Sequence, residues 1–371
     1  MSTTDPPSIN GWPVHTLTRA APADPVRPTF VSAEVLPGRA MMLLQARLRL
    51  PGGREIELLA SPPPAQAAQA LDGGAEDFAG DAAFSFGCAV LAPYANRIRG
   101  KPVGPGRALE TQVLGRTVRL PRNWGGKAPG AEQYAMHGLI LDRAVDRLEP
   151  RSDAGTETVA GFIDAGDFGG RWLSRTDLEI AVALHADALE LRVTARNAGE
   201  ETLPMGIGCH PYFALPSGRR EQARVHVPAR RRLEVNNYDE VLPTGRLLDV
   251  QGGPYDLSPP EGAALGGLYL DDCFVDLQKD REGRTAAQIT DPAGGYGLRI
   301  VAHSPEVSAV QVYAPPDKPF VVLEPQFNWA DPFGPEWPAG AATGMALLQP
   351  GEAVTYRLRF EPFVPEAPAR A

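Results

Sequence analysis

Alternation of apolar and polar residues at every second position is the feature that most limits what this chain can become. Leu178, Ile180, Val182 and Leu184 are apolar. After His185-Ala186-Asp187 the same period resumes at Leu189, Leu191 and Val193, with Glu190, Arg192 and Thr194 between them. Successive side chains on a strand point to opposite faces, so the pattern reads as a hairpin with one face on a core and one in water. Val354, Tyr356, Leu358 and Phe360 repeat it near the end of the chain, and residues 41–50 with 55–59 read as another pair joined at Pro51-Gly52-Gly53. Two short apolar runs, 309–313 and 320–323, suit strands buried on both faces, with Pro315, Pro316 and Pro319 breaking the chain between them.

Helix signals are sparse. Residues 65–71 suggest a turn or two, inside a Pro/Ala/Gly/Asp-rich stretch from 61 to 81 that reads as a surface loop. Residues 103–129 are rich in Gly, Pro and Arg, with one strand expected at 113–120. The 371 residues include 39 Gly and 38 Pro, a usage that favours turns over long helices. No repeat of fixed period and no long linker divides the chain. The expectation is therefore all-β: a single domain over 1–371, built as one large, mainly antiparallel β-sandwich. Residues 1–30 or so are expected to be irregular and 361–371 to be a tail.

A net charge of −9 argues against a basic nucleic-acid-binding face. No apolar run reaches the roughly 18 residues of a membrane-spanning helix. The polar, Pro-rich start does not resemble a secretion signal. The three cysteines, Cys88, Cys209 and Cys273, are widely spaced and odd in number, so a disulfide framework is not expected and a reducing cytoplasm is the default location.

Five segments carry residues with chemical potential. In Pro93-Tyr94-Ala95-Asn96-Arg97-Ile98, Asn96 and Arg97 suit sugar hydroxyls or simply a solvated strand edge. His137 in Met136-His137-Gly138 precedes a residue that permits close backbone approach, although a lone histidine is more often structural. His210, followed by Pro211, Tyr212 and Phe213, suits either an acid/base group of tuned pKa or a packed core histidine. Asp271 and Asp272 are adjacent on an expected strand, so one of them at most faces a given pocket. Glu324 ends the apolar run Val321-Val322-Leu323 and precedes Pro325; a buried carboxylate there is costly without a partner or a task.

Taken in order, "PYANRI", "MHG", "HPYF", "LDDCF", "VYAP" and "LEPQ" resemble the aldose 1-epimerase (galactose mutarotase) family. Echoes at 242–245 and 348–352 extend the resemblance from about residue 40 to 360. It implies a galactose-mutarotase-like β-supersandwich and an isomerase that interconverts the α and β anomers of an aldose, with a small sugar as partner and no metal or cofactor. It implies Glu324 as catalytic base, His210 as catalytic acid, His137 as a second active-site histidine, and Arg97, Asn96 and Asp271 as substrate-binding residues. Asp271 is preferred to Asp272 because it stands three residues before Phe274. The chain departs from the pattern at Cys209 and Ala214, where many members carry Asn, and in longer loops at 61–81 and 101–130. Four other readings compete: a hexose-6-phosphate epimerase of the same fold, using the Arg runs at 97–101 and 230–232; a metal-dependent isomerase; a glycosidase using Asp271 and Glu324; and a non-catalytic sugar-binding protein. The preferred sugar and the oligomeric state are not written in these motifs.

Overall fold

The computed structural model describes residues 7–19, 24–153 and 155–366. Two large sheets dominate it. One has the strand order Pro243–Asp249, Ala229–Val235, Leu270–Leu277, Ala309–Ala314, Phe320–Gln326, Gly208–Ala214, Cys88–Leu91, Met42–Arg49, Thr29–Leu36, His15–Thr18, with Glu55–Glu57 pairing beside Met42–Arg49. The other is nine-stranded and contains the hairpin Thr176–Leu184 and Leu189–Asn197 together with Ala353–Phe363. Among the described residues every pairing between these strands is antiparallel. The fold is the mainly antiparallel β-architecture that the alternation implies. The hairpin closes with Leu184 opposite Leu189, so its apolar positions fall on one face.

One continuous apolar cluster joins the inner faces of both sheets. Phe213, Val321, Leu323, Val310, Val312 and Phe274 enter it from the large sheet, and Ile180, Val182, Leu191, Tyr356 and Leu358 from the nine-stranded one. Because side chains alternate, the residues between those of the large sheet project from its other face. His210, Asp271, Gln311 and Glu324 are such residues, on four strands that lie side by side.

Several local expectations are corrected. The N-terminal segment is not irregular throughout: Ser8–Ile9 pairs with Trp12–Pro13, and His15–Thr18 is the edge strand of the large sheet. Residues 1–6 lie outside the described residues. Residues 113–120 are not one strand but the turn and second arm of a hairpin, Ala108–Val113 with Arg116–Pro121, because Leu114 and Gly115 both have positive φ, 50° and 76°. The expected surface loop at 61–81 contains the helix Pro64–Ala70, whose Ala67 packs with Leu71 and Phe84 in a second apolar cluster. The last strand continues to Phe363, past the expected start of the tail, and residues 367–371 lie outside the described residues. No helix among the described residues is long and apolar enough to cross a membrane.

Candidate active site

Strand register builds the floor of a cavity. Gln311 is directly opposite Glu324. On the far side of Glu324 the register runs from Gly208 opposite Gln326 to Tyr212 opposite Val322, which sets His210 beside Glu324. His210 Nε2 lies 3.4 Å from Glu324 Oε1. Asp271 enters from the next strand beyond Gln311, and Gln311 Nε2 donates to Asp271 Oδ1 at 2.6 Å.

The wall is made by two chain segments outside the large sheets. The short strand Arg97–Ile98 pairs with Gln133–Met136, and His137 N donates to Asn96 O at 2.9 Å. Asn96 and His137 both adopt left-handed backbone, with φ of 61° and 59°. Non-glycine residues hold that conformation only where surrounding contacts impose it. Here Gly138 supplies one constraint: a Cβ at this residue would stand 2.2 Å from Ala92 O, so only glycine lets the chain beside His137 approach so closely. From below, Asn328 accepts from Ala95 N and donates to Ala95 O, and Asp331 N donates to Arg97 O at 2.7 Å.

Asn96, Arg97, Asp271 and Gln311 close a ring of hydrogen bonds. Asn96 Nδ2 donates to Gln311 Oε1 at 2.9 Å, Arg97 Nη1 donates to Asn96 Oδ1 at 2.7 Å, and Arg97 Nη2 reaches Asp271 Oδ1 at 3.4 Å. Tyr134 extends the ring by accepting from Arg97 Nε and donating to Glu240 O. Burial raises the Asp271 carboxyl above the ordinary range, and Arg97 and Gln311 pull it back.

Glu324, His210 and His137 differ from that ring in having unused hydrogen-bonding capacity. Glu324 Oε2, His210 Nδ1 and both ring nitrogens of His137 are buried without a partner. Such atoms are rare in folded proteins, and clustering them in one cavity points to a ligand that completes them. Burial acts on all three in the same sense, against charge. It pushes the Glu324 carboxyl well above its ordinary value, lowers His210 to about 3, and lowers His137 strongly. The two histidine rings meet edge to face at 4.9 Å, and Phe84 packs on both. The ligand-type atoms of His137, His210 and Glu324 also lie within 4.8 Å of one another, a grouping that suits a metal ion as well as a polar substrate.

The cavity measures about 350 Å³ and is lined by all six residues singled out in the sequence: Asn96, Arg97, His137, His210, Asp271 and Glu324. Asp272 turns the other way, as strand alternation requires. It is fully buried and accepts from Arg232 Nη1 at 2.7 Å and from the Tyr238 hydroxyl. Sequence reasoning missed Gln311, Tyr134, Phe84 and Trp124. Gln311 had a signal, being a polar side chain inside a run otherwise buried on both faces. Phe84 ends a kinked 3-10 segment, Ala75–Phe84, and Trp124 begins a two-residue strand, Trp124–Gly125, elements in which no periodicity marks them.

Comparison with known proteins bears on the fold and the family. The family model described as aldose 1-epimerase matches residues 61–361. No curated protein matches the sequence. Among solved structures, a galactose mutarotase-like protein from Clostridium acetobutylicum has a TM-score of 0.70 at 18% identity, covering 90% of this chain and 92% of its own. The aldose epimerase homologue from C. elegans has a TM-score of 0.66 at 16% identity, covering 95% and 98%. Galactose 1-epimerase from Lactobacillus acidophilus NCFM has a TM-score of 0.63 at 17% identity, covering 94% and 98%. At these identities the structural likeness shows a shared galactose-mutarotase-like fold. The family match over most of the length adds the rest: this chain belongs to the aldose 1-epimerase family.

Proposed function

We propose that the protein interconverts the α and β anomers of a free aldose, with Glu324 and His210 as its acid–base pair. The observation that carries this reading is the buried Glu324–His210 pair, 3.4 Å apart and open to a cavity. Anomer exchange opens the sugar ring by removing a proton from the C1 hydroxyl and adding one to the ring oxygen. Both oxygens are bonded to C1, so the groups that serve them must stand close together. Glu324 accepts the hydroxyl proton and His210 protonates the ring oxygen; rotation about the C1–C2 bond and the reverse transfers close the ring on the other face. His137 donates a hydrogen bond to the ring oxygen. Asn96, Arg97 and Asp271, held in place by Gln311, bind the remaining hydroxyls.

The pair holds one mobile proton between its members. Burial favours the uncharged partition, a carboxylic acid beside a neutral imidazole. That is also the partition reached after ring opening as written. In that partition the pair is poised to close an open-chain sugar, and sugar hydroxyls that complete the unused hydrogen bonds of Glu324, His210 and His137 favour the ionised partition needed to open the ring.

The 6-phosphate reading lacks an equivalent support. Arg97 pairs with Asp271, Arg99 with Asp331 and Glu336, Arg231 with Asp276, and Arg232 with Asp272. A second reading, metal-assisted isomerisation, is favoured by the grouping of His137, His210 and Glu324. Polarimetry on freshly dissolved α-D-glucose and α-D-galactose separates them. Acid–base mutarotation gives equilibration faster than the buffer-catalysed rate, unchanged by chelator. Loss of the acceleration with chelator and its return with a divalent metal supports the second reading, and no acceleration of either sugar contradicts the choice of these hexoses.

A further inference from the structure

The long segment at 101–130 is left over by this mechanism, yet it ends at the mouth of the cavity. Trp124 there is 40% exposed, and Tyr238 on a neighbouring loop is 38% exposed. Both line the same cavity as Glu324. Large aromatic residues left open to water cost apolar burial, and two of them on the rim of one polar cavity form a platform rather than a scatter.

The rim is also built to hold its shape. Lys127 N and Ala128 N donate to the two oxygens of Asp239 at 2.9 and 3.1 Å, and Glu132 N donates to Glu240 Oε1 at 2.7 Å. These backbone donors hold both carboxyls below their ordinary range. Gln133 Nε2 closes the same loop onto Gly126 O at 2.8 Å. Trp124 is thus fixed at the base of a loop that is clamped across the mouth to the loop bearing Tyr238.

Position supplies the rest. A sugar ring reacting at Glu324 and His210 also lies against His137. Phe84, itself buried, packs on His137 at 4.9 Å, and the exposed Trp124 packs edge-on against Phe84 at 5.2 Å. Trp124 therefore stands one ring contact beyond Phe84, which itself packs on His137. We propose that Trp124 and its clamped loop form an outer subsite for a second sugar ring, so that the preferred substrate is the reducing end of a disaccharide or longer saccharide. This rests on the mutarotase reading for the inner ring. Lys127 and Asp239, which line the same cavity, supply polar groups on the rim.

The test compares anomer equilibration of cellobiose, maltose and lactose with that of glucose and galactose, in the wild type and in Trp124→Ala. At least one disaccharide is expected to exceed its free hexose in kcat/KM by roughly tenfold, and Trp124→Ala to bring that ratio back towards one, as expected for the loss of an aromatic stacking contact. Asp239→Ala, which releases the clamp but keeps the indole, should lower the same ratio mainly through KM. Equal rates for disaccharides and hexoses in the wild type overturn the proposal. So does a ratio untouched by Trp124→Ala, which would make the indole a cover for the inner ring only. Binding of cellobiose and of glucose is measured without turnover by titration calorimetry, which does not depend on the indole as reporter. Tighter binding of the disaccharide, lost in Trp124→Ala, supports the outer subsite even if no sugar is equilibrated, and so separates its failure from that of the mutarotase reading.

Discussion

Glu324 carries the greatest chemical demand of any single residue in the molecule. A buried carboxyl with one oxygen unpartnered is a cost to the fold unless a ligand or a reaction uses it. Glu324→Gln keeps the shape and removes the base, so kcat should fall by at least ~10²-fold while the folded structure persists. Polarimetric rates together with far-UV circular dichroism check both halves. The pair also sets the pH profile. Catalysis requires one proton shared between Glu324 and His210. A second proton adds only in acid, because His210 is lowered to about 3, and burial moves the loss of the last one upward from the ordinary carboxyl range by raising Glu324. Activity should therefore not follow an ordinary histidine titration whichever partner holds the proton, since the two macroscopic values belong to the pair. A bell centred near the ordinary histidine value would contradict this.

Elements determine where these residues stand, and here the sequence was legible to different depths. The strand bearing Glu324 follows from its apolar run, and alternation puts Asp271 and Asp272 on opposite faces, while the choice of Asp271 came from the family resemblance. The segments bearing Asn96 and His137 follow no period. Their positions depend on positive φ values and a close backbone contact that only three-dimensional neighbours reveal. The hairpin at 108–121 was hidden because Leu114 at its turn continues the apolar pattern of Val113. Gly138→Ala tests the element that places His137. With φ at 90° and Ala92 O 2.2 Å from the new Cβ, it should destabilise the fold by more than ~1 kcal/mol and lower kcat, as read from denaturant unfolding and initial rates. The loop beneath Arg97 has its own pH signature. Burial and Glu336 raise Asp331 from 3.8 to about 7. Its folded value exceeds its unfolded one, so its stabilising contribution is full below 3.8 and is lost as pH rises through about 7. Asp331→Asn should therefore show a smaller fall in Tm between those limits than the wild type, and an identical fall would refute the assignment.

At the scale of the whole molecule, the two sheets meet directly behind the site. Tyr356 belongs to the nine-stranded sheet, and its hydroxyl donates to Pro325 O at 2.5 Å, next to Glu324 in the other sheet. Tyr356→Phe leaves that buried carbonyl without its partner and should cost about 1–3 kcal/mol in denaturant unfolding. An unchanged midpoint would show that the inter-sheet bond does not contribute. The same architecture explains why a single family pattern stretches over residues 61–361: the site is assembled from strands and loops drawn from most of the chain. The central claim is that Glu324 and His210 exchange the anomers of a sugar. Two-dimensional exchange NMR on equilibrated glucose and galactose, each anomer resolved at its C1 proton, tests it most directly. The account predicts cross-peaks between α and β signals with wild-type protein that vanish with Glu324→Gln; equal exchange with both proteins would contradict it.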